Sequence, residues 1–319
     1  MKKNRDNYPP IDLSRVRRYS IKKRPNKTET AAFGKPFSQE ACARDFLKSL
    51  PGFLKAKDFK EFIDLTVKAR RKGKPFHLLM GAHTIKVGLS PIIIDLMERS
   101  IVTGISFNGA GLVHDLELAF FGGTSEDVQV GLADGSFGMV KETSELYAAV
   151  VDLAAARRIG LGKAAGEFIE GKKARYRKTS LFAAAHRLSL TATLHIGIGT
   201  DIVNQHPDFN AARAAEASFI DFRVFSSVCE QINRGGVVAN IGSAVILPEV
   251  FLKALTVARN LNRGKSRLTT ANFDMLEHYR PRVNVVTRPT LNAGKGFDFR
   301  GHHEIMIPLL AWGLKASFR

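Results

Sequence analysis

Five stretches set polar, reactive side chains directly after an apolar run, and each includes glycine, a small residue or proline. They are Gly81–Gly88 (GAHTIKVG), Asn108–Asp115 (NGAGLVHD), Gly197–Asp201 (GIGTD), Gly242–Ala244 (GSA) and Thr287–Thr290 (TRPT). The chemical inventory is His83, Thr84 and Lys86; Asn108, His114, Asp115 and, just beyond, Glu117; Thr200 and Asp201; Ser243; Thr287 and Arg288. Glycine lets a ligand approach the backbone, and a helix starting just beyond such a turn favours phosphate. Asp201 has the acceptors to hold a ribose or an amine. Any one stretch also reads as a tight turn or a helix cap. Five together favour a nucleotide or a similar ligand, although no G-x-G-x-x-G occurs.

One lysine stands in a suggestive place. Lys295 lies in the Gly-rich run NAGKGFDFRGHHE, with Arg300, His302 and His303 close in sequence. A lysine nucleophile must lose its proton, which burial or neighbouring cations promote. The competing reading is a solvated surface lysine. His302, His303 and Glu304 are adjacent, and adjacent side chains on a helix diverge, so no metal site is expected.

These residues need elements to hold them. Short apolar runs ending in glycine or polar residues (FHLLMG, IVTGISFNGAG, TATLHIGIGTD, GGVVANIGSAV and RVNVVTRPT) read as strands. Between them lie helical patterns, among them SPIIIDLMERS, with Ser90 as N-cap and Pro91 at the first helical position, and LVHDLELAFF. MVKETSELYAAVVDLAAARRIG reads as a long helix closed by Gly160, and HEIMIPLLAWGLKAS as the last helix. SQEACARDFLKSLPGF, with Ser38 as N-cap, and KDFKEFIDLTVKARRKG precede the first strand as helices. Strands alternating with helices predict an α/β fold with a mostly parallel sheet and helices on both faces. Its binding crevice lies beyond the carboxyl ends of the strands, where the five stretches fall. The expected organisation is a basic irregular arm over residues 1–36 and one domain over residues 37–319.

Composition narrows the classes. The chain has 319 residues, 45% hydrophobic and 24% charged, enough to bury a sizeable core. Its longest apolar runs fall far short of the roughly 18 residues a membrane span needs. No signal peptide is visible, and two cysteines without metal-ligand spacing suit a reducing cytoplasm. Net charge is +18, with ten Lys/Arg against three Asp/Glu in the first 30 residues and a second basic cluster at Gly171–Ser180. Such charge attracts nucleic acid, acidic proteins or an anionic membrane surface. Without a recognised binding module or aromatic platform, a solvated basic face is preferred over nucleic acid.

The run from Leu78 to Phe120, LLMGAHTIKVGLSPIIIDLMERSIVTGISFNGAGLVHDLELAF, resembles the opening of the deoxyhypusine synthase core. GIGTD, VVANIGSAV, TTANFD with VNVVT, and IMIPLLAWGL resemble that family's Thr-Asp-Gly stretch, triple-glycine exit, Asn-bearing helix with the following strand, and C-terminal helix, in order. The resemblance implies a Rossmann-like domain that binds NAD and assembles as a homotetramer. It also implies aminobutyl transfer from spermidine through an enzyme-lysine imine. Carried onto this sequence, Gly81, His83, Thr84 and Gly88 fall near NAD phosphates or ribose, and Asn108, Gly109, Ala110 and Gly111 on the nicotinamide side. Asp201 falls at the adenosine ribose, Gly242, Ser243 and Ala244 at the pyrophosphate, and His114, Asp115 and Glu117 at the substrate amine.

The departures are specific. There is no Trp-Gly-Lys motif, LPEVF replaces the paired histidines, and the polyamine-binding acidic stretch is here the basic TRPTLNAGKGFDFRG. The expectation is therefore an NAD-dependent transferase or oxidoreductase acting on a smaller amine or an amino acid, its carboxylate held by Arg288 or Arg300. The alternatives are a catalytically silent nucleotide-binding scaffold and a basic-surface interaction protein.

Overall fold

Six short strands pair side by side and all in parallel, in the order β3-β2-β1-β4-β5-β6. A computed structural model describes residues 8–262 and 267–318. Residues 8–36 of the basic arm are almost entirely exposed and carry three 3-10 turns at Leu13–Arg15, Ile21–Lys23 and Thr30–Ala32. The chain then runs α1 (Ala43–Ser49), α2 (Leu54–Arg71), β1 (Phe76–Met80), α3 (His83–Lys86), α4 (Ser90–Glu98) and β2 (Gly104–Asn108). Next come α5 (Gly109–Phe121), α6 (Val128–Asp134), α7 (Lys141–Arg157), α8 (Leu161–Gly171), α9 (Leu181–Arg187) and β3 (Thr191–His195). The last third holds α10 (Ala211–Asn233), β4 (Val237–Ile241), α11 (Ile246–Leu261), β5 (Thr269–Asp274), β6 (Lys295–Arg300) and α12 (His303–Ser317). This is an α/β Rossmann-like fold, and the strand order turns back between β1 and β4, where such sheets open their ligand crevice. Among the described residues, no helix is long and apolar enough to cross a membrane.

Alternate strand residues feed two cores, as the pleat requires. Phe76, Leu78 and Met80 of β1 join α2, α4, α5 and α12 on one face. Leu79 and Val238 join Phe225 and Ile232 of α10 and Phe251 of α11 on the other. Phe62 of α2 lies among Phe76, Phe273, Phe297 and Phe299, with ring centroids 5.7–6.2 Å away. Removing that ring would cost about 3–5 kcal/mol.

The α10–α11 face carries a row that crosses the sheet in register and is polar except at Leu79: Thr193, Ser106, Leu79, Asn240, Asn272 and Asp298. The Asn240 amide donates to Asn272 Oδ1 at 2.8 Å, and Asn272 donates to Asp298 Oδ1 at 2.8 Å. Ser106 Oγ lies 2.6 Å from Thr193 Oγ1 and 2.8 Å from His77 Nε2, while Thr193 reaches His195 at 3.1 Å. Most polar groups of this row are thus paired with one another, Asn240 Oδ1 being the exception.

Four local expectations are corrected. Residues 282–290 are not a strand: Pro281–Thr287 form a π-helical turn and Arg288–Thr290 a 3-10 turn. Asn284 there donates to Glu249 and accepts from Arg288, so tertiary bonds override the β-branched composition. TTANFD is strand β5 rather than a helix, and the sixth strand is KGFDFR. The first helix begins at Ala43, not after Ser38, and the Asp45 carboxylate accepts from the N–H and Sγ of Cys42 at its start. Gly160 precedes α8 as its N-cap, while Arg158, at φ 52°, closes α7 in the left-handed conformation.

Candidate functional site

β1 and β4 leave the sheet through Gly81 and Gly242. Gly81 N–H donates to Ile241 O at 2.9 Å and Gly242 N–H to Phe273 O at 3.0 Å, so both exits stay tied to the next strand. Gly242 has φ 64°, and a Cβ on it would lie 2.7 Å from His303 Cε1. His303 begins α12 with its ring buried against that glycine. Its Nε2 lies 3.1 Å from Phe273 O; a carbonyl only accepts, so Nε2 carries the proton and Nδ1 is an acceptor. That Nδ1 is buried and has no hydrogen-bond partner. The His83 ring lies 5.5 Å from His303, and partial burial, followed by the neighbouring His303 and Lys86, lowers its pKa. Ser243 Oγ accepts from Leu247 N–H at 3.2 Å near the start of α11. Thr84 is fully buried and donates to Gly81 O, so it shapes the turn rather than facing a ligand. Gly88, at φ 76°, turns the chain between α3 and α4.

A cavity of about 410 Å³ opens at the exits of β2 and β3. It brings together Asn108, Ala110, His114, Glu117 and Asp201, and adds Lys86. Gly109 and Gly111 stand behind these residues. A Cβ on Gly109 would overlap the Asp201 carboxylate, and one on Gly111 would meet the Phe107 ring. Asn108 Oδ1 is buried and unpartnered.

Three carboxylates line this cavity, and their protein partners are almost all neutral. Glu117 accepts from Thr143 at 2.8 Å and from Thr124. Asp201 accepts from Gly197 N–H at 2.8 Å, and Glu126 from Gly138 N–H at 3.0 and 3.1 Å. Burial pushes the Glu117 pKa up, but the nearby His114 ring and the bonds from Thr124 and Thr143 outweigh it and hold the carboxyl below its ordinary value. Burial raises Asp201, with Gly197 N–H opposing. Among the described residues no lysine or arginine pairs with any of the three; the one ionisable side chain within ion-pair range is His114, its Nδ1 3.8 Å from Glu117. In a chain of net charge +18 this is a local reversal of sign.

The outer wall is residues 122–140, which contain no lysine or arginine. Only Gly131 of α6 is buried. Gly138 anchors the wall through Glu126 and through its carbonyl, 2.7 Å from His206 Nε2. Glu126, Thr124, Thr143 and His206 were not among the residues expected from sequence, because no apolar run precedes them to mark a strand exit.

The structure moves four expected residues away. Lys295 opens β6 at the amino end of the sheet, opposite the exits, paired with Glu61 and lying over Phe297. Parallel pairing with Thr269 fixes it there. Asp115 does not face a substrate: it is buried on α5, where its carboxylate accepts from Ser180 Oγ and from the N–H groups of Leu181 and Phe182 at the start of α9. Burial raises its pKa to about 6 against those bonds. Arg288 is engaged with Asn284 in the turn that leads to the amino end of β6, and Arg300 is paired with Glu277, so neither faces the cavity. Among the described residues no three His, Cys, Asp or Glu side chains converge as metal ligands.

No family model matches the sequence, and no curated protein matches it significantly. Solved structures do match in fold. A candidate deoxyhypusine synthase from Entamoeba histolytica superposes with a TM-score of 0.50 at 12% identity, covering 90% of this chain and 97% of that one. A candidate LOR/SDH protein from Methanococcus maripaludis S2 gives 0.51 at 15%, covering 88% and 72%. AgrE, in a ternary complex with ornithine and NAD+, gives 0.51 at 13%, covering 82% of this chain; the chain spans about a third of AgrE. At these identities the likeness is one of fold.

Proposed function

We propose that the protein is a deoxyhypusine synthase-like, NAD-dependent enzyme, a transferase or oxidoreductase, acting on a small amine or an amino acid. The observation that carries this reading is the cavity at the β2 and β3 exits, where Glu117, Glu126 and Asp201 face one space without lysine or arginine partners. A cationic group entering it gains charge-assisted hydrogen bonds that the protein does not supply internally. Lys86, at the same cavity, has no carboxylate partner among the described residues and suits the carboxylate of an amino acid. It takes the part expected of Arg288 or Arg300.

NAD fits the residues at the exits. Gly81, Gly242, Ser243 and Ala244 offer backbone at the turning point of the strand order, beside His83 and the unpartnered Nδ1 of His303. Asn108 Oδ1, buried and without a donor, suits the carboxamide of a nicotinamide. When bound, oxidised nicotinamide would supply the acceptor for amine oxidation. Fold likeness to AgrE, seen with ornithine and NAD+, supports the reading. The same reading includes a homotetramer of 35.1 kDa subunits, which sedimentation tests directly.

The test is calorimetry with NAD, NADP and ATP, followed by a panel of amines and amino acids with NAD, monitored by NADH fluorescence. No binding of any dinucleotide at millimolar concentration would end the proposal. Binding of NAD without turnover of any amine would favour the silent scaffold, a reading that the displacement of Lys295 from the exits supports.

A further inference from the structure

Glu117 and His114 do not touch directly: Nδ1 and Oε2 are 3.8 Å apart, too long for a hydrogen bond. The hydroxyl of Thr124 stands between them, 2.6 Å from His114 Nδ1 and bonded to Glu117 Oε2. A hydroxyl has one proton to give and an ionised carboxylate has none. Glu117 is held below its ordinary pKa, so Thr124 gives its proton to Glu117 and must accept from His114. The ring is then protonated on Nδ1, with Nε2 as its open acceptor. Thr143 occupies the other oxygen of Glu117, so the carboxylate is held at both ends.

We infer that Thr124 is a positioning residue, which fixes His114 in the tautomer whose Nε2 accepts a proton in the cavity. The chemical role rests on the amine reading; the tautomer does not. An ammonium group bound beside His114 transfers one proton to Nε2, leaving a neutral amine and an imidazolium. That imidazolium keeps its Nδ1–H bond to Thr124, with the Glu117 carboxylate next in line to stabilise its charge. Thr124 belongs to the 122–140 wall and not to α5, so displacement of the wall also releases the ring. An unrestrained neutral imidazole prefers its proton on Nε2, the form that cannot take one from substrate there. The bridge reverses that preference.

Two measurements on the full chain test this. Nitrogen-15 NMR of the ring nitrogens, with His114→Gln for assignment, is expected to show Nδ1–H in the wild type and in Thr124→Ser, and a shift toward Nε2–H in Thr124→Val. In turnover of a substrate found with NAD, Thr124→Val should lower kcat roughly 10- to 100-fold with KM changed less than about threefold, and displace the acid limb of the pH profile. Thr124→Ser should restore both. Nε2–H in the wild type, or an unchanged ring spectrum in Thr124→Val, overturns the inference. Failure to find any amine substrate sinks the functional reading alone, because the spectrum still decides the role of Thr124.

Discussion

Gly81 and Gly242 face each other at the ends of β1 and β4 so closely that a methyl group on Gly81 would overlap the Gly242 carbonyl oxygen. The obstacle is backbone, which cannot swing aside. Gly81→Ala is therefore expected to cost about 2–3 kcal/mol in urea unfolding and to weaken dinucleotide binding. Gly88→Ala, with open space but φ 76°, should cost about 1 kcal/mol. Equal effects of the two would contradict this account of the exits.

Lys86 tests which end of a substrate it meets. Lys86→Ala should raise the KM of an amino acid on the order of tenfold, while leaving the corresponding amine without a carboxylate nearly unchanged. Parallel losses for both would assign Lys86 to the cofactor instead.

Asp115→Ala removes three bonds at the start of α9 and leaves Ser180 Oγ and two N–H groups in a buried place. The expected cost is about 2–4 kcal/mol of stability, with KM preserved in the folded fraction. A selective change in KM at full stability would restore Asp115 to the substrate.

Two buried histidines predict sensitivity to acid. Burial lowers His77 to about 3, with His195 adding to it, and burial lowers His195 to about 3. Unfolding frees both to bind protons near pH 6.5, so their contribution is intact above that pH and is lost as pH falls toward 3. Asp115, raised to about 6, acts in the opposite sense, losing stability as pH rises from about 4 to 6. The difference between variants is therefore the proper measure. His77→Asn should be less stable than the wild type at pH 7 and lose several kcal/mol less on acidification to pH 4. Parallel pH curves would show that His77 does not titrate on unfolding.

Lys295→Ala should leave dinucleotide binding and turnover unchanged and cost under about 1 kcal/mol, because Lys295 is exposed and its ion pair with Glu61 stays in reach of water. Loss of activity in a stable variant would return Lys295 to the chemistry.

Much of the sheet was legible because buried parallel strands are short apolar runs, as FHLLM and VVANI are, and those runs mark the exits. β6 was missed although Phe297 and Phe299 alternate with Gly296 and Asp298, a period-two signal hidden by the flanking glycines. VNVV misled in the other direction, since Asn284 and Arg288 bond across a π-helical turn. At the cavity, Asn108, His114, Glu117 and Asp201 came from strand exits. Glu126 and Thr124 sit on a wall that no periodicity predicts, and the role of Asp115 depends on α9, 65 residues further along. Side chains that act across long sequence separations leave no local trace.

The outermost position of β6 gives Lys295 a different importance. A strand with one free side offers its peptide groups to any other chain, which is how sheets fuse into aggregates. Here that strand begins with Lys295 and ends with Arg300, both exposed, while its apolar side chains, Phe297 and Phe299, turn inward. A second molecule pairing in parallel would bring lysine beside lysine and arginine beside arginine. The lysine that looked catalytic in the sequence is thus expected to oppose the pairing of two such edges.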